Sequence, residues 1–313
     1  MTRSSWAFLT ALSVLQILLL ALSLVPTARA DRMVITPDEE FVVLEEGQTA
    51  LIAWNGTHEY LLLSVNLRAH TTTYTARASS SLAVQVMPFP SAPGVLPGSQ
   101  EVLERLMAVV SEHLADKYGR GPHPAPVLPT GYSRGGGALE EEISLVFYEE
   151  VGVHNVAVLE VRDASALTEW IMAFYSERGL NITGNRALLE DVETIVADYV
   201  ARGYPYFTVD VIKVPVGRTS VEPLAYIFEC DYVFYPLYIS SALLGDTSIR
   251  LFILASDWLS EEDVEPTRLE VAMMDELSDE ELKWISKSIY EFMGGGPVRL
   301  TELEYDGPIG ALT

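Results

Sequence analysis

Asn55-Gly56 stands between two apolar runs, TALIAW (49–54) and EYLLLSVNL (59–67). A dipeptide of this type between such runs is a strong short-range signal for a β-hairpin. A hairpin so rich in leucine cannot stand alone in water, so a second layer must cover it. The neighbouring segments FVVLEE (41–46), TTTYTA (71–76) and LAVQVMPFP (82–90) are strand-like too, and Glu46-Gly47 reads as a further turn. Residues 31–98 are therefore expected to form a small antiparallel β domain folded on itself.

Composition changes after this point. Eight of the 17 prolines fall between Pro88 and Pro129, and the glycines peak at Gly135-Gly136-Gly137. Within this region, residues 100–117 place Val102, Leu103, Leu106, Met107, Val110 and Leu114 on one face, which predicts an amphipathic helix. Residues 119–137 lack apolar periodicity, so 99–139 reads as a helix followed by a Pro/Gly-rich linker. Residues 140–313 read as a larger α/β domain with an acidic C-terminal part. Strands are expected at 144–151, 156–161, 206–214, 224–229, 234–241, 250–256 and 298–305. Asp163-Ala164-Ser165 caps a helix that ends near Gly179, and further helices are predicted at 187–201 and 279–293. The fold class is α+β.

The first 30 residues read as an export signal. Arg3 precedes an uncharged run from Trp6 to Val25, and Ala28-Arg29-Ala30 offers a small-x-small exit before Asp31. The run is also long enough to be kept as an N-terminal membrane anchor. In both cases the rest of the chain is expected outside the cytoplasm, in the envelope or the extracellular space, with no membrane contact except through that segment. Without Arg3 and Arg29 the chain holds 18 basic and 44 acidic residues, a net −26. That charge repels nucleic acid and anionic head groups. Cys230 is the single cysteine, so no intramolecular disulfide forms and stability rests on burial. Its run, LAYIFEC, suits a buried small hydrophobe, and the adjacent Asp231 disfavours a thiolate. Asn55-Gly56-Thr57 and Asn181-Ile182-Thr183 are sequons, which makes Asn55 and Asn181 the glycosylation candidates.

The stretch GYSRGGG (131–137) satisfies the G-x-S-x-G pattern of a nucleophile elbow. Its context does not: prolines precede it where a buried strand is needed, and glycines follow it where a helix must leave. The five histidines contain no His-x-x-x-His pair and the acidic runs no calcium-loop order, so no metal or cofactor is expected. No catalytic residue is assigned. The aromatic residues crowding 204–238, among them Tyr204, Tyr206, Tyr226, Tyr235 and Tyr238, suit either a packed core or a face for a glycan or a partner chain, with core the commoner outcome.

VGVHNVAVLEVRDASALTEWI (151–171), VETIVADYVARGYPYFTVDVIKV (192–214) and VEPLAYIFECDYVFYPLYIS (221–240) resemble the family known as domain of unknown function 2330. Residues 39–65 and MPFPSAP (87–93) are similar to it as well. The resemblance implies an exported, often membrane-tethered protein and carries no catalytic or cofactor-binding residue. Two functions are expected on this basis. The first is a non-catalytic envelope or extracellular protein that binds an envelope protein or a glycan. The second is a secreted hydrolase of glycans or peptides that uses paired carboxylates. An open pocket holding two carboxylates backed by aromatic rings distinguishes the second.

Overall fold

The structure is a computed structural model and describes residues 33–36, 41–72, 79–118, 143–177, 186–242, 246–308 and 311–312. The chain enters through β1 (Met33–Ile35), β2 (Phe41–Trp54), β3 (His58–Thr71), β4 (Ser80–Phe89) and β5 (Gly94–Pro97), followed by helix α1 (Gln100–Tyr118). The middle holds β6 (Ile143–Val151), β7 (His154–Val161), α2 (Ala164–Glu177), α3 (Arg186–Ala201), β8 (Tyr206–Pro215), β9 (Gly217–Ser220) and β10 (Leu224–Glu229). The last part holds β11 (Asp246–Ala255), the single turn α4 (Glu261–Val264), β12 (Glu270–Leu277), α5 (Asp279–Ile285), α6 (Lys287–Met293) and β13 (Val298–Pro308).

Two sheets result. One has five strands in the order β1-β4-β8-β7-β6; the other has eight, ordered β12-β13-β11-β2-β3-β10-β5 with β9 beside β3. The neighbours are antiparallel except for β11 and β2, which run parallel. Successive side chains point to opposite faces of a strand; helices cover one face of each sheet, and the sheets cover part of each other's second face. On β3, Leu61, Leu63, Val65 and Leu67 join a core shared with Met87, Val158 and Ile212 of the smaller sheet. Leu62 points the other way, towards Leu103 and Leu106 of α1 and Leu282 and Ile289 of α5 and α6. The far face of the smaller sheet packs Val84, Leu159 and Val209 against Leu167, Ile171, Val192 and Val196 of α2 and α3. The molecule is thus a four-layer stack of helices, sheet, sheet and helices. This explains why the central strands read as continuous apolar runs rather than as alternating ones.

The hairpin forms at Asn55-Gly56. Gly56 takes φ +97°, and Asn55 Oδ1 accepts hydrogen bonds from the backbone N–H groups of Thr57 (3.1 Å) and His58 (2.9 Å). Asp163 caps α2 as expected, accepting from the N–H of Ser165 at 2.9 Å and from its hydroxyl at 2.8 Å.

Several expectations are revised. Residues 33–97 do not make a sheet of their own. β1 and β4 belong to the smaller sheet beside β8, while β2, β3 and β5 belong to the larger one beside β10 and β11. A strand buried on both faces needs two layers, and only the later half of the chain supplies enough of them. The boundaries placed at 98 and 140 therefore do not separate the sheets. Glu46-Gly47 is no turn: β2 runs through it, with a shift of register between Glu45 and Gly47. Residues 234–241 are not a strand; an irregular loop leads into a 3-10 turn at Leu237–Ala242. The helix expected at 279–293 is broken at Ser286, whose φ of −161° ends α5 and whose side chain caps α6. The acidic part contains an unforeseen strand, β12, at the sheet edge. The 6–25 run, residues 73–76, Ser133 with its glycines, and Asn181 lie outside the described residues.

Candidate functional site

The inner face of the larger sheet is only partly covered by the smaller one. Where that cover ends, a cavity of about 450 Å³ opens over β2, β11 and β13, and no residue of the smaller sheet is among its walls. Its floor is apolar, formed by Ile52, Leu251, Ile253 and Leu303. These residues reach the same face because they alternate along their strands with Leu51, Phe252 and Leu254, which face the helices.

Two segments wall the cavity. The first follows β10 and contributes Asp231, Tyr232, Val233 and Tyr235. Hydrogen bonds pin it to the larger sheet: Trp54 Nε1 donates to the Cys230 carbonyl (2.9 Å), the Phe234 N–H to Glu59 Oε2 (2.7 Å), and the Tyr235 hydroxyl to Gln48 Oε1 (2.7 Å). The second runs from Asp257 to Leu269 and brings Trp258, Leu259, Asp263 and Val264 to the cavity. A capping box between Ser260 and Asp263 organises its short helix α4. The same hydrogen bonds from Ser260 hold the Asp263 carboxyl below the usual range. Asp257 Oδ1 accepts from the Trp258 N–H at 2.9 Å. The Arg299 guanidinium, opposite Ala255 on β11, lies 5.1 Å from the Trp258 ring centre and pairs with Glu276.

Two buried acids stand in the inter-sheet layer without lining the cavity. Glu59, opposite Trp54 on β2 and Phe228 on β10, is fully buried, and desolvation holds its carboxyl well above the usual range despite the Phe234 N–H. Its Oε1 has no hydrogen-bond partner among the described residues. Asp210, on β8, is buried against His154 on β7, with Oδ2 2.5 Å from Nδ1. The other ring nitrogen, Nε2, lies 2.7 Å from the Glu222 carbonyl. Both ring nitrogens are engaged, and the His154–Asp210 contact ties β7, β8 and the Glu222 carbonyl together. With its second nitrogen occupied by a carbonyl, this histidine lacks the free position a catalytic base requires.

The five tyrosines proposed as one face are dispersed. Tyr226 is wholly buried, its ring centre 5.1 Å from Phe89 across the two sheets. Tyr204 and Tyr206 flank the inter-sheet core, and Tyr204 stacks 5.3 Å from Phe234. Tyr238 packs on Tyr199 of α3 beneath Arg202. Only Tyr235 lines the cavity. Cys230 is buried, and burial raises its thiol, which suits packing rather than reactivity. Asn55 is exposed, with its Nδ2 donating to the Phe292 carbonyl at 3.2 Å. Sequence reading missed Trp54, Trp258 and the aspartates of the rim. The one local signal was the run SDWLSEEDV, in which a tryptophan interrupts acidic residues.

Fold and cavity together define a two-sheet α+β sandwich, flanked by helices, with an acid-rimmed apolar chamber on one inner sheet face. The chain belongs to the DUF2330 family, described as uncharacterized protein conserved in bacteria, whose pattern matches residues 26–288. No curated protein matches it. Among solved structures, a crystal structure of baculovirus P35 is similar over 76% of this chain and 75% of that one, with 11% identity and a TM-score of 0.39. At that score the likeness transfers nothing to this chain.

Proposed function

We propose that this protein is an exported, non-catalytic binding protein of the cell envelope or extracellular space, and that it takes a small molecule with an apolar body into the chamber on the inner face of its larger sheet. The observation that carries this reading is the cavity: its volume lies within the range of ligand sites, and its floor is aliphatic with a few polar groups at the rim. The N-terminal export pattern and the strongly acidic composition support the location. A hydrolase of glycans or peptides is the second reading, favoured by aspartates lining the chamber beside Trp54 and Trp258. Two observations weigh against it. Asp263 is held low, and the acids that burial raises, Glu59 and Glu302, are not among the walls.

The test uses the neutral fluorophore N-phenyl-1-naphthylamine. Its emission is expected to rise on mixing with the protein and to stay flat with a Leu251→Trp variant that fills the floor and keeps the wild-type circular dichroism. Equal emission from both proteins overturns the reading. Hydrolysis of an envelope polysaccharide that disappears in Asp231→Asn would establish the second reading instead.

A further inference from the structure

We infer that the ligand of this chamber is an organic cation, an ammonium group carried on an apolar body; the inference rests on the binding reading above and adds the sign of the charge. Asp231, Asp257 and Asp263 are the charged groups among the described residues that form the walls, and Arg299, opposite the wall residue Ala255, is already paired with Glu276. Asp231 and Asp257 are exposed at the rim, so they act on what enters rather than on the core. Carboxylates around a low-dielectric mouth concentrate counter-ions of opposite sign and repel anions.

The aromatic walls point the same way. Trp54, Tyr232, Tyr235 and Trp258 are among the walls, and aromatic rings attract cations through their quadrupole. Trp258 already holds one such contact, with the Arg299 guanidinium 5.1 Å from its ring centre, so this ring meets a cation in the protein itself. The carboxylates are also arranged for a diffuse rather than a compact charge. Among the described residues no three His, Cys, Asp or Glu side chains gather closely enough to hold a metal ion. A quaternary ammonium spreads its charge over its methyl groups, faces carboxylates set apart, and leaves its chain for the aliphatic floor formed by Ile52, Leu251 and Leu303.

Calorimetric titration with three probes sharing one apolar body tests this: octyltrimethylammonium, octanol and octanoate. The cation is expected to bind at least about tenfold more tightly than octanol, and octanoate most weakly, since a desolvated cation–π contact with a nearby carboxylate is worth about one decade in affinity. In the double variant Asp231→Asn, Asp257→Asn the preference for the cation should disappear while octanol binding is unchanged. Asp263 is left intact because it caps α4. Equal binding of the cation and octanol by the wild-type protein overturns the inference and leaves the binding reading standing. If none of the three binds, both fall.

Discussion

Asp210 and Glu59 are both shut out of solvent in the layer between the two sheets, and they resolve the same problem in opposite ways. Asp210 sits in the smaller sheet with His154 against it, so its Oδ2 is met by a buried ring nitrogen. Glu59 sits in the larger sheet, where one backbone N–H is the donor it meets, and burial keeps its proton on. The difference follows from position. β7 and β8 are paired strands, and His154 can reach across to Asp210 while its other nitrogen finds the Glu222 carbonyl. Glu59 has Trp54 and Phe228 as its cross-strand neighbours, neither of which carries a charge. The buried His154–Asp210 pair ties two strands and a loop together. A buried neutral acid serves as a hinge pin for one wall of the cavity.

The largest effect is expected from separating the pair. Asp210→Ala leaves a buried imidazole nitrogen without its partner and should cost about 1–3 kcal/mol in urea unfolding. Adding His154→Leu to that variant should recover much of the loss; a double variant no more stable than Asp210→Ala alone would show that the two residues do not act as a pair.

Glu59→Gln should act in the opposite direction. A folded-state pKa raised above the unfolded value near 4.5 means that the folded protein binds the extra proton, so stability falls as pH rises above about 4.5 towards the folded value. Glutamine keeps an acceptor for the Phe234 N–H and has no proton to lose. The variant should therefore lose less melting temperature than the wild type between pH 4 and pH 7, and parallel pH profiles would contradict the neutral acid.

The smallest effect belongs to His113 of α1, which lies on the outer face of the larger sheet and resembles the His154 pair in a wetter setting. Its Nε2 is 2.8 Å from Glu281 and its Nδ1 3.1 Å from Asp275. Burial pulls its pKa down, but the two carboxylates outweigh that and leave it raised. Its contribution is full below pH 6.5 and lost as pH rises through the raised value. His113→Ala should therefore lower the melting temperature at pH 5.5 and leave it nearly unchanged at pH 9.

Parts of this were legible in the sequence because their causes are local. The hairpin at Asn55-Gly56, the cap at Asp163 and the face of α1 each depend on residues a few positions apart. The 234–241 stretch misled because its aromatic residues have strand propensity; in the structure Phe234 is spent on Phe228 and Tyr204, and the backbone turns to present it. β12 was hidden because an edge strand needs only one face and one partner, so its acidic residues could stay exposed. The cavity was hidden more deeply. Ile52, Asp231, Leu251 and Leu303 span most of the described chain, and no spacing rule relates them.

By itself the sequence determined which segments would be strands and helices over most of the chain, the family, and a chemistry free of disulfides. Short-range sterics, hydrophobic periodicity and composition suffice for these. Only the tertiary structure decided that the first strands are shared between two sheets, that Glu59 stays neutral while Asp210 is paired, and that one inner sheet face remains open. Each of these depends on which distant surface arrives to cover a strand, and on whether it brings a charge with it.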